Sequence, residues 1–193
     1  MTAQPDPITA THSTLHPDAP PGKEAKYARL ERERRFLFAS RPSGAIVRRV
    51  LIEDRYVLGT RLRLRRVTDL DAPISPTFRL TQKIPAAAGG PGLITTLYLS
   101  AREYRALAEL PARAVRKVRS SIPPLGVDEF EGPLSGLVLG EAEFDDSDAE
   151  LAFEQPAGTV AEVTADARFT GGALASMEAG QIEHLLREFR LGE

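Results

Sequence analysis

In the stretch Leu30-Glu31-Arg32-Glu33-Arg34-Arg35-Phe36, five consecutive charged residues stand between two apolar ones. Side chains of an extended strand alternate between its two faces. Glu31, Glu33 and Arg35 therefore share one face, and Leu30, Arg32, Arg34 and Phe36 the other. Two carboxylates and a guanidinium line up on one side. A charged strand face is normally a wetted surface, so its meaning depends on what the other strands present to it.

Several strands further along present charge in the same way. Thr60-Arg61-Leu62-Arg63-Leu64-Arg65-Arg66-Val67 alternates, with Arg61, Arg63 and Arg65 opposite Leu62 and Leu64. Thr77 to Ile84 places Arg79, Thr81 and Lys83 on one side and pairs with it as a hairpin. Ala114 to Arg119 puts Lys117 and Arg119 on one face. Gly136 to Phe144 carries Glu141 and Glu143 against Gly140, Ala142 and Phe144, and Val127 to Phe130 precedes it across a turn. Ala45 to Leu58 reads as two short strands or one bent strand, with Tyr56 near its end. Leu93 to Leu99 is a strand with few charges, reached through a Pro/Ala/Gly loop at Pro85 to Gly92, and Val160 to Val163 is a short one.

Helical signals lie between the strands. Ser100 followed by Glu103 is a capping-box pattern, in which each side chain satisfies a backbone amide of the other. It predicts a helix over Ala101 to Leu110, stopped by Pro111. Asp145 to Gln155, with Leu151 and Phe153, reads as a helix packed outside the sheet. Gly171-Gly172 breaks the chain ahead of a bent amphipathic helix over Ala173 to Arg190. Residues 1–24 are rich in Pro, Thr, Ala and Asp without apolar periodicity, which predicts a disordered tail; residues 25–193, including the C-terminal helix, make one domain.

Composition narrows the class. A 42% hydrophobic, 27% charged chain of 193 residues can bury a core, and 25 basic against 27 acidic residues leave no global field to draw nucleic acid or an anionic membrane. Any anion site is local. With zero cysteines there is no disulfide, thiolate metal site or cysteine nucleophile, and cytoplasm is the expected compartment. No apolar run reaches a membrane span of about 20 residues, and a signal-peptide pattern is missing at the N-terminus. His12 and His16 fall in the tail and His184 in the terminal helix, so histidine chemistry is not expected.

Helices that carry their own apolar stripes can cover the outside of a sheet whose charged faces point inward. A closed sheet with a charged, water-filled lumen satisfies both patterns. Rows of guanidinium and ammonium groups match the oxygens of a polyphosphate chain. Carboxylates in the same lumen would repel that chain unless a hard divalent cation bridged them.

The order Glu31-Arg32-Glu33-Arg34-Arg35-Phe36, Tyr56, Arg61-Leu62-Arg63, Leu80-Thr81-Gln82-Lys83, Lys117-Val118-Arg119, Val127 to Gly132, Gly136 to Phe144 and Glu162-Val163-Thr164 resembles the CYTH domain, or triphosphate tunnel metalloenzyme, family over roughly residues 26 to 175. The resemblance implies a mainly β fold, a closed eight-stranded antiparallel barrel forming a tunnel with helices packed outside. It implies Glu31, Glu33, Glu141 and Glu143 as ligands for Mg2+ or Mn2+, and Arg35, Arg61, Arg63, Lys83, Lys117 and Arg119 as triphosphate clamps. Asp128 is implied as an orienting carboxylate, with Tyr56 and Lys117 the catalytic candidates. Tyr56 stands where simpler bacterial members have a proposed proton acceptor; it also reads as a barrel-closing tyrosine with a satisfied hydroxyl.

Two positions depart from the family pattern. Arg35 replaces a signature lysine, and the fifth strand, where hydrolases of the family carry an arginine and two glutamates, here aligns Thr95, Leu97 and Leu99. A one-residue slip would turn Thr96 and Tyr98 inward instead, and neither register supplies a carboxylate. The expected function is metal-dependent hydrolysis of inorganic tripolyphosphate or a small organic triphosphate. The alternative is a non-catalytic triphosphate- or polyphosphate-binding module. A third reading, a class IV-type adenylate cyclase, requires a base-recognition pocket that no segment supplies.

Overall fold

The structure, a computed structural model, describes residues 27–72, 74–85 and 92–192. The expected N-terminal tail and most of the Pro/Ala/Gly loop lie outside them. The strands are β1 (Arg29–Phe38), β2 (Arg48–Val57), β3 (Leu62–Asp69), β4 (Thr77–Ile84), β5 (Gly92–Leu99), β6 (Ala112–Ile122), β7 (Leu125–Phe130), β8 (Val138–Phe144) and β9 (Thr159–Glu162). The segment with two possible readings, Ala45 to Leu58, contains one continuous strand.

The sheet runs β5-β4-β3-β2-β6-β7-β8-β1, and β5 pairs back onto β1. This closes an eight-stranded antiparallel barrel. β1 makes the closure with the first part of one edge: Arg29 to Glu31 pair with Ile94 to Gly92, and further along Phe36 to Phe38 pair with β9. β9 thus covers edge that β5 leaves open, and an unpaired strand edge there would expose backbone donors and acceptors.

Outside the barrel, Phe36, Phe38, Val127, Val138 and Ala142 form an apolar cluster that Phe144 and Phe153 join. The Phe153 ring lies 5.9 Å from Phe36 and 5.1 Å from Phe144. It is delivered by α2 (Ser147–Ala152), within the segment expected to be helical. Leu151 faces solvent. α1 (Ala101–Ala108) starts with the expected capping box and lays Tyr104 against Phe78, with ring centroids 4.5 Å apart.

A second cluster sits at one end of the barrel. Leu37, Val115, Phe130 and Leu139 belong to the same strand faces that carry Arg35, Lys117, Asp128 and Glu141, so the inner surface turns apolar there. Phe169, Leu174, Ile182, Leu185 and Leu186 close over it. The C-terminal segment thereby seals an end of the interior. It does so as two helices, α3 (Gly171–Leu174) and α4 (Ala179–Glu188), where one bent helix was expected. Gly171 begins α3 and does not break the chain: a Cβ there would lie 1.9 Å from the Tyr56 hydroxyl, so glycine permits the close approach. Among the described residues, no helix is long and apolar enough to cross a membrane.

Candidate functional site

A cavity of about 770 Å3 runs inside the barrel, lined also by the β2–β3 turn, Pro85 and Thr170, Gly171, Gly172 and Ser176. The inward faces of the strands line it, as alternation requires. β1 contributes Glu31, Glu33 and Arg35, and β8 contributes Glu141 and Glu143. Facing them are Arg61, Arg63 and Arg65 from the β2–β3 turn and β3, then Arg79, Thr81 and Lys83 from β4. β6 adds Lys117 and Arg119, and Tyr56 comes from β2. Every residue expected at a metal or phosphate site lines this one cavity. Asp128, on the inward face of β7, lies beneath Lys117 and Arg119 and is 0% exposed.

The charges are interlocked. Lys83 Nζ is 2.7 Å from Glu31 Oε1, and Arg35 Nε is 3.7 Å from Glu33 Oε1. Arg35 also donates to the carbonyls of Phe169 and Thr164, tying the lumen to the C-terminal segment. Lys117 Nζ donates to Asp128 Oδ2 at 2.5 Å, and Arg119 forks onto both Asp128 oxygens at 2.7 and 2.6 Å while also donating to Glu141. Asp54, which the sequence reading passed over, is 1% exposed and takes a second fork, from Arg65, at 2.6 and 2.7 Å. Its signal was present in the sequence: Asp54 stands between Ile52 and Tyr56 on one face of β2, the single acid in the row Arg48, Val50, Ile52, Asp54, Tyr56.

β5 faces the other way from the alignment expected from the resemblance. Thr96 points into the lumen, its hydroxyl 3.2 Å from that of Thr81, and Leu97 is 56% exposed on the outside. The alignment of Thr95, Leu97 and Leu99 with the family's inward positions is therefore corrected in favour of the one-residue slip, which turns Thr96 inward. Closure sets the register, because Ile94 must oppose Arg29 and Lys83. Tyr98, on the same face as Thr96, lies near the strand end, with the Arg79 guanidinium 5.3 Å from its ring.

Among solved structures, the crystal structure of the inorganic triphosphatase NE1496 is similar over 76% of this chain and 95% of its own, at 27% identity and a TM-score of 0.52. A second crystal structure of NE1496, described as a hypothetical protein, aligns over 77% of this chain and 99% of its own with the same identity and TM-score. The chain has the triphosphate-tunnel fold of the CYTH family. No family model and no curated protein matches it.

In this tunnel the glutamates are the groups whose chemistry suits a hard divalent cation. The Glu33 carboxyl is pushed up by burial and then by Glu141 and Glu31, against the pull of Lys83 and Arg35. A cation beside it would relieve that repulsion. Burial also acts on Glu141, but Arg119 and Lys117 outweigh it and hold that carboxyl below the usual range. The donor set fits in kind. It is not gathered: among the described residues no group of three or more His, Asp or Glu side chains forms a metal-holding cluster, and an ion would have to draw Glu31 from Lys83 and Glu141 from Arg119. The Tyr56 phenol is pushed up to about 12 by burial and then by Asp54, with Arg63 and Arg65 pulling the other way. A phenol so placed stays protonated near neutral pH.

Proposed function

We propose that the tunnel binds inorganic tripolyphosphate, or a small organic triphosphate, and hydrolyses it with Mg2+ or Mn2+ in the cytoplasm. The observation that carries this reading is the facing of Arg61, Arg63, Lys83, Lys117 and Arg119 against Glu31, Glu33, Glu141 and Glu143 in one lumen. The similarity to the inorganic triphosphatase NE1496 supports it.

Arg61, Arg63 and Lys83 would hold the phosphate oxygens and stabilise the charge that grows on them during transfer. Lys117 and Arg119 reach the same space with orientations set by Asp128, so little reorganisation accompanies reaction. The apolar closure by Phe169 and Leu174 keeps bulk water from that end. Glu31, Glu33, Glu141 and Glu143 would hold the ion; when bound, it supplies neutralisation of phosphate charge and orientation of the attacking water.

The test is phosphate release from tripolyphosphate, ATP and thiamine triphosphate, with and without Mg2+ or Mn2+. Turnover in none of these combinations overturns the enzyme reading. A second reading, a non-catalytic triphosphate-binding module, is favoured by β5, which offers Thr96 and Ile94 to the lumen and no carboxylate. Calorimetry separates the two, since a pure binder takes up tripolyphosphate with little metal dependence and releases no phosphate.

A further inference from the structure

Two buried aspartates occupy matching places in the wall. Asp54 on β2 lies directly across from Arg65 on β3, and Asp128 on β7 directly across from Arg119 on β6. Their use differs. Asp128 shares its carboxylate between Arg119 and Lys117. Asp54 gives both oxygens to the one guanidinium of Arg65, while Arg63 Nε stays 3.8 Å from Oδ1 and makes no hydrogen bond. A guanidinium forked onto a carboxylate has its charge balanced and two of its five N–H donors committed. Arg61, Arg63 and Arg65 share a strand face, yet they are not equivalent toward an anion.

We propose that Asp54 is a positioning residue that withholds Arg65 from the phosphate chain and leaves Arg63 to meet it, so fixing where along the tunnel the chain sits. This rests on the reading of the tunnel as a phosphate site. Burial raises the Asp54 carboxyl, but the charge and hydrogen bonds of Arg65, with Arg63 and Lys117 beyond, outweigh it, so Asp54 remains ionised and the fork persists at neutral pH.

The test measures tripolyphosphate affinity of the full chain by calorimetry, with divalent ions chelated. Asp54→Leu/Arg65→Met removes the pair together, keeps the net charge, and replaces a buried ion pair by apolar groups, an exchange that proteins often tolerate. Its affinity is expected within about twofold of the parent, whereas Arg63→Ala loses at least about tenfold. A tenfold loss in the pair variant makes Arg65 a direct clamp and overturns the proposal. Asp54→Asn releases Arg65 and is expected to bind at least about threefold tighter, a gain that vanishes when Arg65 is also Met, as coupling through that residue demands. Unchanged or weaker binding by folded Asp54→Asn, or a gain that survives without Arg65, also overturns it. If Asp54→Asn does not fold, the pair variant decides alone. If no form of the protein binds tripolyphosphate, the phosphate-site reading fails and this proposal with it; binding by the parent with either arm failing removes only the role of Asp54.

Discussion

Thr96→Glu and Leu97→Glu place the same carboxylate one residue apart on β5 and on opposite sides of the barrel wall. Thr96 touches Thr81 across the lumen-facing side, and Lys83 is two residues farther along that face of β4, a separation of about 7 Å. A carboxylate reaching from position 96 therefore comes within roughly 6 Å of Lys83 and of any phosphate oxygen it holds. Unit charges at that distance interact by about 3 kcal/mol at an effective dielectric of about 20. Thr96 is exposed to lumen water, and screening reduces the effect to about 1–1.5 kcal/mol. Thr96→Glu should then weaken metal-free tripolyphosphate binding by about tenfold and tighten Mn2+ binding several-fold. Leu97→Glu, outside the wall, should change neither by more than about twofold. Calorimetry with tripolyphosphate under chelation, then with Mn2+ alone, reads both. Equal effects of the two variants, or a larger effect of Leu97→Glu, would refute the assigned facing of β5.

Gly171→Ala should lower stability by about 2 kcal/mol, because a methyl 1.9 Å from the Tyr56 hydroxyl must displace that side chain or α3; an unchanged thermal midpoint sinks this reading. Tyr56→Phe should leave the shape of any pH–rate profile intact between about pH 6 and 9, since the phenol titrates far above that range, and disappearance of the basic limb would restore a proton-acceptor role. Stability should fall steeply in acid as Asp54, whose folded value lies below 3.8, takes up its proton. Glu33 contributes with the opposite sign: its folded value is raised above 4.5, so ionisation costs stability as pH rises through that raised value. Glu33→Gln should accordingly stabilise the protein at neutral pH in the absence of metal, and denaturant midpoints that fall instead would contradict the electrostatics assigned to that pocket.

What the sequence determined by itself was the facing of charges within each strand that alternates. Arg61, Arg63 and Arg65 share a side, as do Glu31 with Glu33 and Glu141 with Glu143, because backbone geometry imposes a period of two whatever the strand pairs with. The Ser100–Glu103 cap was legible for the same reason, being complete within four residues. β5 was not legible: Gly-Leu-Ile-Thr-Thr-Leu-Tyr-Leu offers apolar and hydroxyl side chains to both faces, so no local signal says which side is inside. Its pairing with β4 and β1 decided that Thr96, and not Leu97, enters the lumen. Tertiary structure alone also assigned Asp54 to Arg65 and set Gly171 against Tyr56, and it made the C-terminal helices a closure for one barrel end. Each is a contact between separate elements, and a buried charge or a close approach acquires its meaning from the partner that folding brings to it.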